Sequence, residues 1–410
     1  MKKMFAILAL LALATPLVTQ CAPAATEAPA EPVKLVLWTK EGEDALEWNE
    51  SLVDEFNAAH PDITIELVKK ENVEVLREDF QTASLAGTPP EMLWTVNDHA
   101  GPFVAADIIQ PVDDLLDLGV FVESALAAVE LEGKTWGVPV SNGNHLMLLF
   151  NKQLIAEAPA DTDALFAKGQ ELTTGDTYGL VWNQTEPFWL VPWLGGFKGK
   201  VFADDGVTPT LDTPEMVATL QFLHDMKYDA AIIPPESDYD AADTLFKEGK
   251  AAMIINGDWS LGTYQEALGD DLGVARIPMV SATGEWPKPY TSGVYFMLAK
   301  EVSGDKLEAA KEFMQFVASK EKQLEMVELL SRLPALAEAL DDPMITDDPI
   351  LKGSTDQMVV GTPMPTVLEM RCNWDGMKPE MQAVLADSKS PEDAAAAMQT
   401  AAESCIEALE

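Results

Sequence analysis

Apolar and polar positions change rhythm along this chain, and the changes mark its elements. VKLVLW, Val33 to Trp38, is a short apolar run of the strand kind. In DALEWNESLVDEFNAAH, Leu52, Val53 and Phe56 recur at helical spacing, and Pro61 marks the stop. ITIELVKK alternates as a strand does. Asn72 to Ser84 returns to the helical period and ends near Gly87 and Pro89-Pro90, and EMLWTV follows as the next strand. The order βαβαβ predicts an α/β fold with a parallel sheet covered by helices on both faces.

A second unit begins after GVPVSNGNHLMLLFNK. This stretch is long, apolar and extended, with Gly143 inside it, and it reads as a passage between two lobes near Ser141 to Leu148. Beyond it come TYGLVWN, a helix from Pro214 to Tyr228, a helix over AADTLFKEG and a strand over AAMIIN. LGVARIPMV and SGVYFMLAK read as strands, Asp305 to Ser319 and the residues from Lys320 as helices. Pro391 to Leu409 is an Ala-rich helix. No repeat of fixed period appears. The 410 residues suit two or three domains, at about 100–200 residues each. The expected partition joins 33–142 with 290–338 in one lobe and 143–289 with 339–410 in the other.

The first residues stand apart. Lys2 and Lys3 precede an apolar run from Met4 to Leu13, and Pro16 interrupts it. That is a secretory signal over residues 1–20, since a spanning helix needs about 20 apolar residues. LVTQCAPAATEAPAEP resembles a lipoprotein cleavage site at Cys21, with Gln20 where a small residue is usual. Residues 21–32 have no apolar periodicity and read as a disordered tether after a lipidated Cys21. The expected location is the outer face of the cytoplasmic membrane, periplasmic or at the cell surface, with the lipid as the only membrane contact. Formal charge is −41, and −43 without residues 1–20, which carry Lys2 and Lys3 and no acid. Such a chain is repelled by nucleic acid and by anionic bilayers. Cys372 and Cys405 form an even pair in a disulfide-permissive compartment, which suggests one bond between them; two free buried thiols are the alternative.

Motifs for chemistry are mostly absent. EGKTW lacks the upstream glycine of a phosphate loop, Ala128 standing there, and reads as a turn. No nucleophile elbow, zinc-protease helix or calcium loop occurs, so neither metal nor cofactor is expected. Of the histidines, His99 and His145 lie near cleft segments. The aromatics say more. Trp94 is followed closely by Asn97 and Asp98. Glu186 precedes Phe188, Asp258 precedes Trp259, and Trp374 sits in RCNWDG. A flat ring beside a carboxylate or amide suits a sugar, whose C–H face stacks while its hydroxyls hydrogen-bond. In open α/β sheets such ligands bind outside the carboxyl ends of strands, where Trp94 and Trp259 are expected. Large core is the alternative for each tryptophan, and the favoured one for Trp38, Trp48, Trp136 and Trp182.

From Val33 to its end the chain resembles bacterial extracellular solute-binding proteins of the maltose-binding type, the capture component of ATP-binding-cassette sugar importers. DYDAADTLFKEGKAAMIINGDWS carries the resemblance most specifically, supported in order by LVLWTKEGE, PPEMLWTVNDHAG, GKTWGVPV, NQTEPF and MPTVLEMRCNW. It implies a periplasmic-binding-protein-like fold of two α/β lobes, a multi-strand hinge and a ligand cleft between them. It also implies a monomer that closes on a mono- or oligosaccharide and presents it to a membrane permease. Carried over by position, the ligand set is Trp94, Asp98, Glu186, Phe188, Trp259 and Trp374, with Glu41 and Asp44 from the loop after the first strand. Asn97 joins these as an adjacent amide. Asn144 stands where the family has a Glu, His99 where it has an Arg, and Phe188 where it has a Tyr.

Two other functions remain open on the sequence. A secreted glycoside hydrolase also uses aromatics and paired carboxylates, for which Asp98, Glu186 and Asp258 are candidates. A binder of a non-sugar solute such as a polyamine or a metal fits the acidity, although the tryptophans and neutral amides favour a neutral, ring-shaped ligand.

Overall fold

The computed structural model describes residues 32–409, so the secretory signal, Cys21 and nearly all of the tether lie outside the described residues. The N-terminal run folds as β1 (Val33–Thr39), α1 (Glu43–Ala59), β2 (Ile63–Lys69), α2 (Val73–Leu85) and β3 (Met92–Val96). Two short strands follow, β4 (Ile109–Gln110) and β5 (Val138–Pro139). The Asn72 side chain caps α2 by accepting from Val75 N at 3.0 Å, which satisfies an amide the helix leaves unpaired. EGKTW is a turn, linking the two-residue strands Glu130–Leu131 and Lys134–Thr135.

The stretch expected to run extended is broken. β5 ends at Pro139, single bridges join Ser141 to Pro334 and Gly143 to Ser292, and β6 (Leu146–Asn151) starts a second sheet. That sheet adds β7 (Tyr178–Trp182), β8 (Ala251–Gly257) and β9 (Leu272–Ala275), in the order β9-β6-β8-β7. Between β7 and β8 lie α3 (Pro214–Tyr228) and α4 (Tyr239–Lys247), started by the side chains of Thr213 and Asp238. The chain then returns to the first sheet as β10 (Val294–Ala299) and builds α5 (Asp305–Val317) and α6 (Lys320–Leu330). It ends against the second sheet with α7 (Pro349–Met358), α8 (Glu369–Leu385) and α9 (Pro391–Glu407).

The first sheet has the order β2-β1-β3-β10-β4, with β5 also on β10. β1 is parallel to β2 and β3, as the βαβαβ pattern predicts. The sheet as a whole is mixed, because the returning β10 runs antiparallel to β3. Both faces are buried. Val294, Phe296 and Leu298 of β10 enter one cluster, and Tyr295, Met297 and Ala299 enter the other. The second sheet repeats this: Leu146, Leu148 and Phe150 face one way, Met147 and Leu149 the other. Burial on both faces is why these strands read as continuous apolar runs. Cys372 on α8 and Cys405 on α9 form a disulfide, with Cα atoms 5.5 Å apart.

Candidate functional site

Three aromatic side chains from separate elements form a wall on the second lobe. Phe188 comes from the single turn Pro187–Trp189 after β7, Trp259 from the turn after β8, and Trp374 from α8. Phe188 lies 6.2 Å from Trp259 and 6.3 Å from Trp374 between ring centroids. All three keep part of their surface exposed. Behind them Trp189 is buried and donates from Nε1 to the Ile255 carbonyl at 2.8 Å. Tyr239, the first residue of α4, packs edge-on to Trp189 and accepts from Trp259 Nε1 at 3.0 Å. That bond fixes the indole's rotation.

Gly257 makes the exit possible. A Cβ there would meet the Trp259 ring at 2.1 Å, so the indole lies directly over the glycine backbone. Asp258 turns the other way. It is buried and its Oδ2 accepts from Asn144 N at 3.0 Å. A Cβ on Gly143 would fall 2.2 Å from that oxygen, and φ +149° at Gly143 is a conformation glycine alone adopts readily. Asp258 therefore fastens the crossing segment to the end of β8. Asn144 adds a bond from its amide to Ser292 Oγ at 3.2 Å. His145 is buried in the same joint and donates from Nε2 to the Ser354 carbonyl at 3.0 Å; burial outweighs Asp258 and lowers its pKa.

The first lobe contributes charge. Glu41, just after β1, is buried and accepts a two-pronged contact from Arg332 at 3.1 and 3.0 Å. Lys40 lies 3.0 Å from the same carboxylate and Trp94 Nε1 donates to it at 3.3 Å. Burial alone would raise the Glu41 pKa; Arg332 and Lys40 overcome that and hold it well below the usual carboxylate range. Asp98 has the opposite balance. Burial, then the Glu74 carboxylate, push it up to about 6 against its own backbone amide and Arg371 and Arg77. Its Oδ1 is sealed from solvent without a hydrogen-bond partner among the described residues. His99 shares a 2.8 Å hydrogen bond with Thr95, and burial, aided by Arg77, lowers its pKa to about 3, so its ring is neutral.

The expected site residues thus divide. Phe188, Trp259 and Trp374 meet in one wall, and Glu186 beside them pairs with Lys378. Asp44 faces the second lobe, accepting from Thr263 Oγ1 at 3.3 Å. Trp94 is placed differently from the expectation of a strand mouth: it sits in the middle of β3, 1% exposed, between Trp48 at 5.7 Å and Phe296 at 5.0 Å. β1 and β10 flank β3 and helices cover it, so no residue of that strand reaches an open face. The Asn97 amide is taken by the Ala128 and Met364 carbonyls at 2.7 and 3.1 Å. Arg332 and Tyr239 join the site without a local signal in the sequence. Arg332 lies 291 residues from its partner Glu41, a separation no local pattern reveals. Among the described residues no group of three or more His, Cys, Asp or Glu could hold a metal, and no helix is long and apolar enough to cross a membrane.

Two sheeted lobes, joined by short bridges and lined where they meet by aromatic and charged side chains, define a solute-capturing protein. The sequence profile of the bacterial extracellular solute-binding protein family matches residues 51–353, and the chain belongs to that family. The maltotriose-binding protein of Pyrococcus abyssi is 27% identical over 364 residues, covering 87% of this chain and 78% of its own length. The maltodextrin-binding protein MdxE of Bacillus subtilis is 26% identical over 395 residues, covering 92% of this chain and 91% of its own. Among solved structures, the maltose/maltodextrin-binding domain MalE from Bdellovibrio bacteriovorus bound to maltotriose superposes with a TM-score of 0.87 at 36% identity. That match covers 92% of this chain and all of the other.

Proposed function

We propose that this protein binds a maltooligosaccharide between its lobes and delivers it to an ATP-binding-cassette permease, without catalysis. The observation that carries the reading is the wall of Phe188, Trp259 and Trp374, with ring centroids 6.2 and 6.3 Å apart. Consecutive rings at this spacing suit consecutive sugar units, whose C–H faces stack while hydroxyls turn to polar groups. The similarity to proteins named for maltotriose and maltodextrin supports the same ligand class. Residues 33–142 with 290–338 form one lobe in this reading, and 143–289 with 339–410 the other. Ligand that contacts both lobes only when they meet shifts the open–closed equilibrium by its differential affinity. The chain acts as a monomer held at the outer face of the membrane by lipid on Cys21.

Of the carboxylates a hydrolase would use, Asp258 is bonded to the crossing segment and Glu186 to Lys378. Asp98 has the raised pKa of a general acid, and the Glu74 carboxylate that helps to raise it is paired with Arg77 and Arg371. The test is titration calorimetry with maltotriose, followed by product analysis after long incubation. Saturable binding with intact maltotriose is expected. Glucose release that Asp98→Asn abolishes would replace binding with hydrolysis.

A further inference from the structure

Arg332 stands beside the segment that crosses between the lobes, two residues past α6. Its segment is stitched to the crossing strand: Asn142 N donates to the Leu333 carbonyl at 2.9 Å, and Ser141 bridges Pro334. The side chain is 6% exposed. Its two terminal nitrogens are fixed on the two oxygens of Glu41, whose Oε1 is also contacted by Lys40 and Trp94. The Nε–H is buried and has no partner among the described residues. Asp258 of the second lobe lies near enough for its carboxylate to favour the guanidinium's charge. Tyr239 of the same lobe holds Trp259 in the aromatic wall. The buried guanidinium therefore stands where groups of the two lobes come together.

We propose that Arg332 is a specificity-determining hydrogen-bond donor, offering Nε–H to a hydroxyl of a neutral sugar while Glu41 serves as its fixed counterion. The assignment rests on the sugar-binding reading above. A charged donor buried without an acceptor is costly, and the cost is removed when a ligand oxygen arrives. A site of this kind rejects an analogue that lacks the oxygen, because the buried N–H is then left unpaired. Glu41 and the nearby Asp258 offset the charges of Arg332 and Lys40, so the cluster presents a directed donor without attracting anions. The ligand class it selects is a neutral, hydroxyl-bearing ring compound and not a carboxylated or phosphorylated one. The guanidinium plane is held by both prongs on Glu41, so the direction of the Nε–H is set before ligand binds.

Arg332→Lys keeps the charge opposite Glu41 and deletes the directed donor. Calorimetry of wild type and Arg332→Lys against maltotriose and a set of monodeoxy maltotrioses reads the effect. Loss of a hydrogen bond to a charged donor predicts at least about tenfold weaker maltotriose binding. It also predicts one deoxy analogue whose penalty in wild type disappears in the variant. Affinity within twofold of wild type, or the same deoxy penalties in both proteins, would overturn the assignment. Wild type that binds no maltooligosaccharide would instead overturn the sugar-binding reading. Should Arg332→Lys fail to fold, Arg332→Gln combined with Glu41→Gln removes both buried charges together, and the same comparison of deoxy penalties decides.

Discussion

Trp259 can stand at a strand end because the residue two before it has no side chain. The indole covers Gly257 and is held there by the Tyr239 hydroxyl. Its partly exposed face belongs to the wall, whereas Trp94, also beside a strand in the sequence, is sealed in the core of the first lobe. Trp259→Ala should therefore weaken maltotriose binding by about 1–3 kcal/mol, by analogy with stacking of bases on aromatics. The melting temperature of the free protein should change little, and a large fall in it at unchanged affinity would make Trp259 a packing residue. Asp98 carries a pH signature. Its pKa is raised to about 6, so the folded state binds its proton more tightly than the unfolded state, whose carboxyl titrates near 4. Its contribution to stability is full below the unfolded value, falls as pH rises toward about 6 and is flat above. Wild type should thus lose stability relative to Asp98→Asn between about pH 4 and 6, which urea titrations of both proteins would measure; parallel curves would remove Asp98 from this role.

At the scale of elements, the chain's patterning announces most of what forms. Helix starts are legible at Asn72, Pro214 and Pro391, with Asn72, Thr213 and Ser390 capping in the structure, whereas α4 begins at Tyr239, two residues before the pattern suggests, capped by Asp238. Strands are legible because both faces of each sheet are buried and the runs are apolar throughout. The crossing stretch is the exception. Its apolar composition suggests one long strand, but Gly143 and positive φ at Asn144 break it into bridges, where Asp258 replaces ladder bonding. α8 and α9 pack together and are tied by Cys372–Cys405 across 33 residues. Replacing both cysteines by serine should cost about 3–4 kcal/mol on chain-entropy grounds. Denaturant unfolding would show it, with maltotriose affinity retained, because the bond lies within one lobe. Unchanged stability would mean the helix packing alone suffices.

Over the whole molecule, polar contacts at the surface join the lobes. Arg371 of α8 reaches Glu74 of α2 at 2.7 Å, and Thr263 reaches Glu43 and Asp44 at 3.1 and 3.3 Å. Such contacts exist only while the lobes are together, so they add to closure and not to either lobe's stability. The Arg371–Glu74 pair is partly exposed, and Glu74→Gln should weaken maltotriose binding by at most about fivefold, or 1 kcal/mol. The salt dependence of affinity should shrink with it, since surface pairs are screened. An unaltered salt dependence would remove the pair from closure. By itself the amino-acid sequence determined the alternation of strands and helices, the acidic charge, the cysteine pair and the aromatic-plus-polar units, because all of these are local in the chain. Only the tertiary structure decided which tryptophans form a wall and which fill the core, because burial depends on neighbours brought from far along the chain. The same holds for Arg332 and Glu41, whose meeting 291 residues apart turns two ordinary surface residue types into one buried, oriented pair.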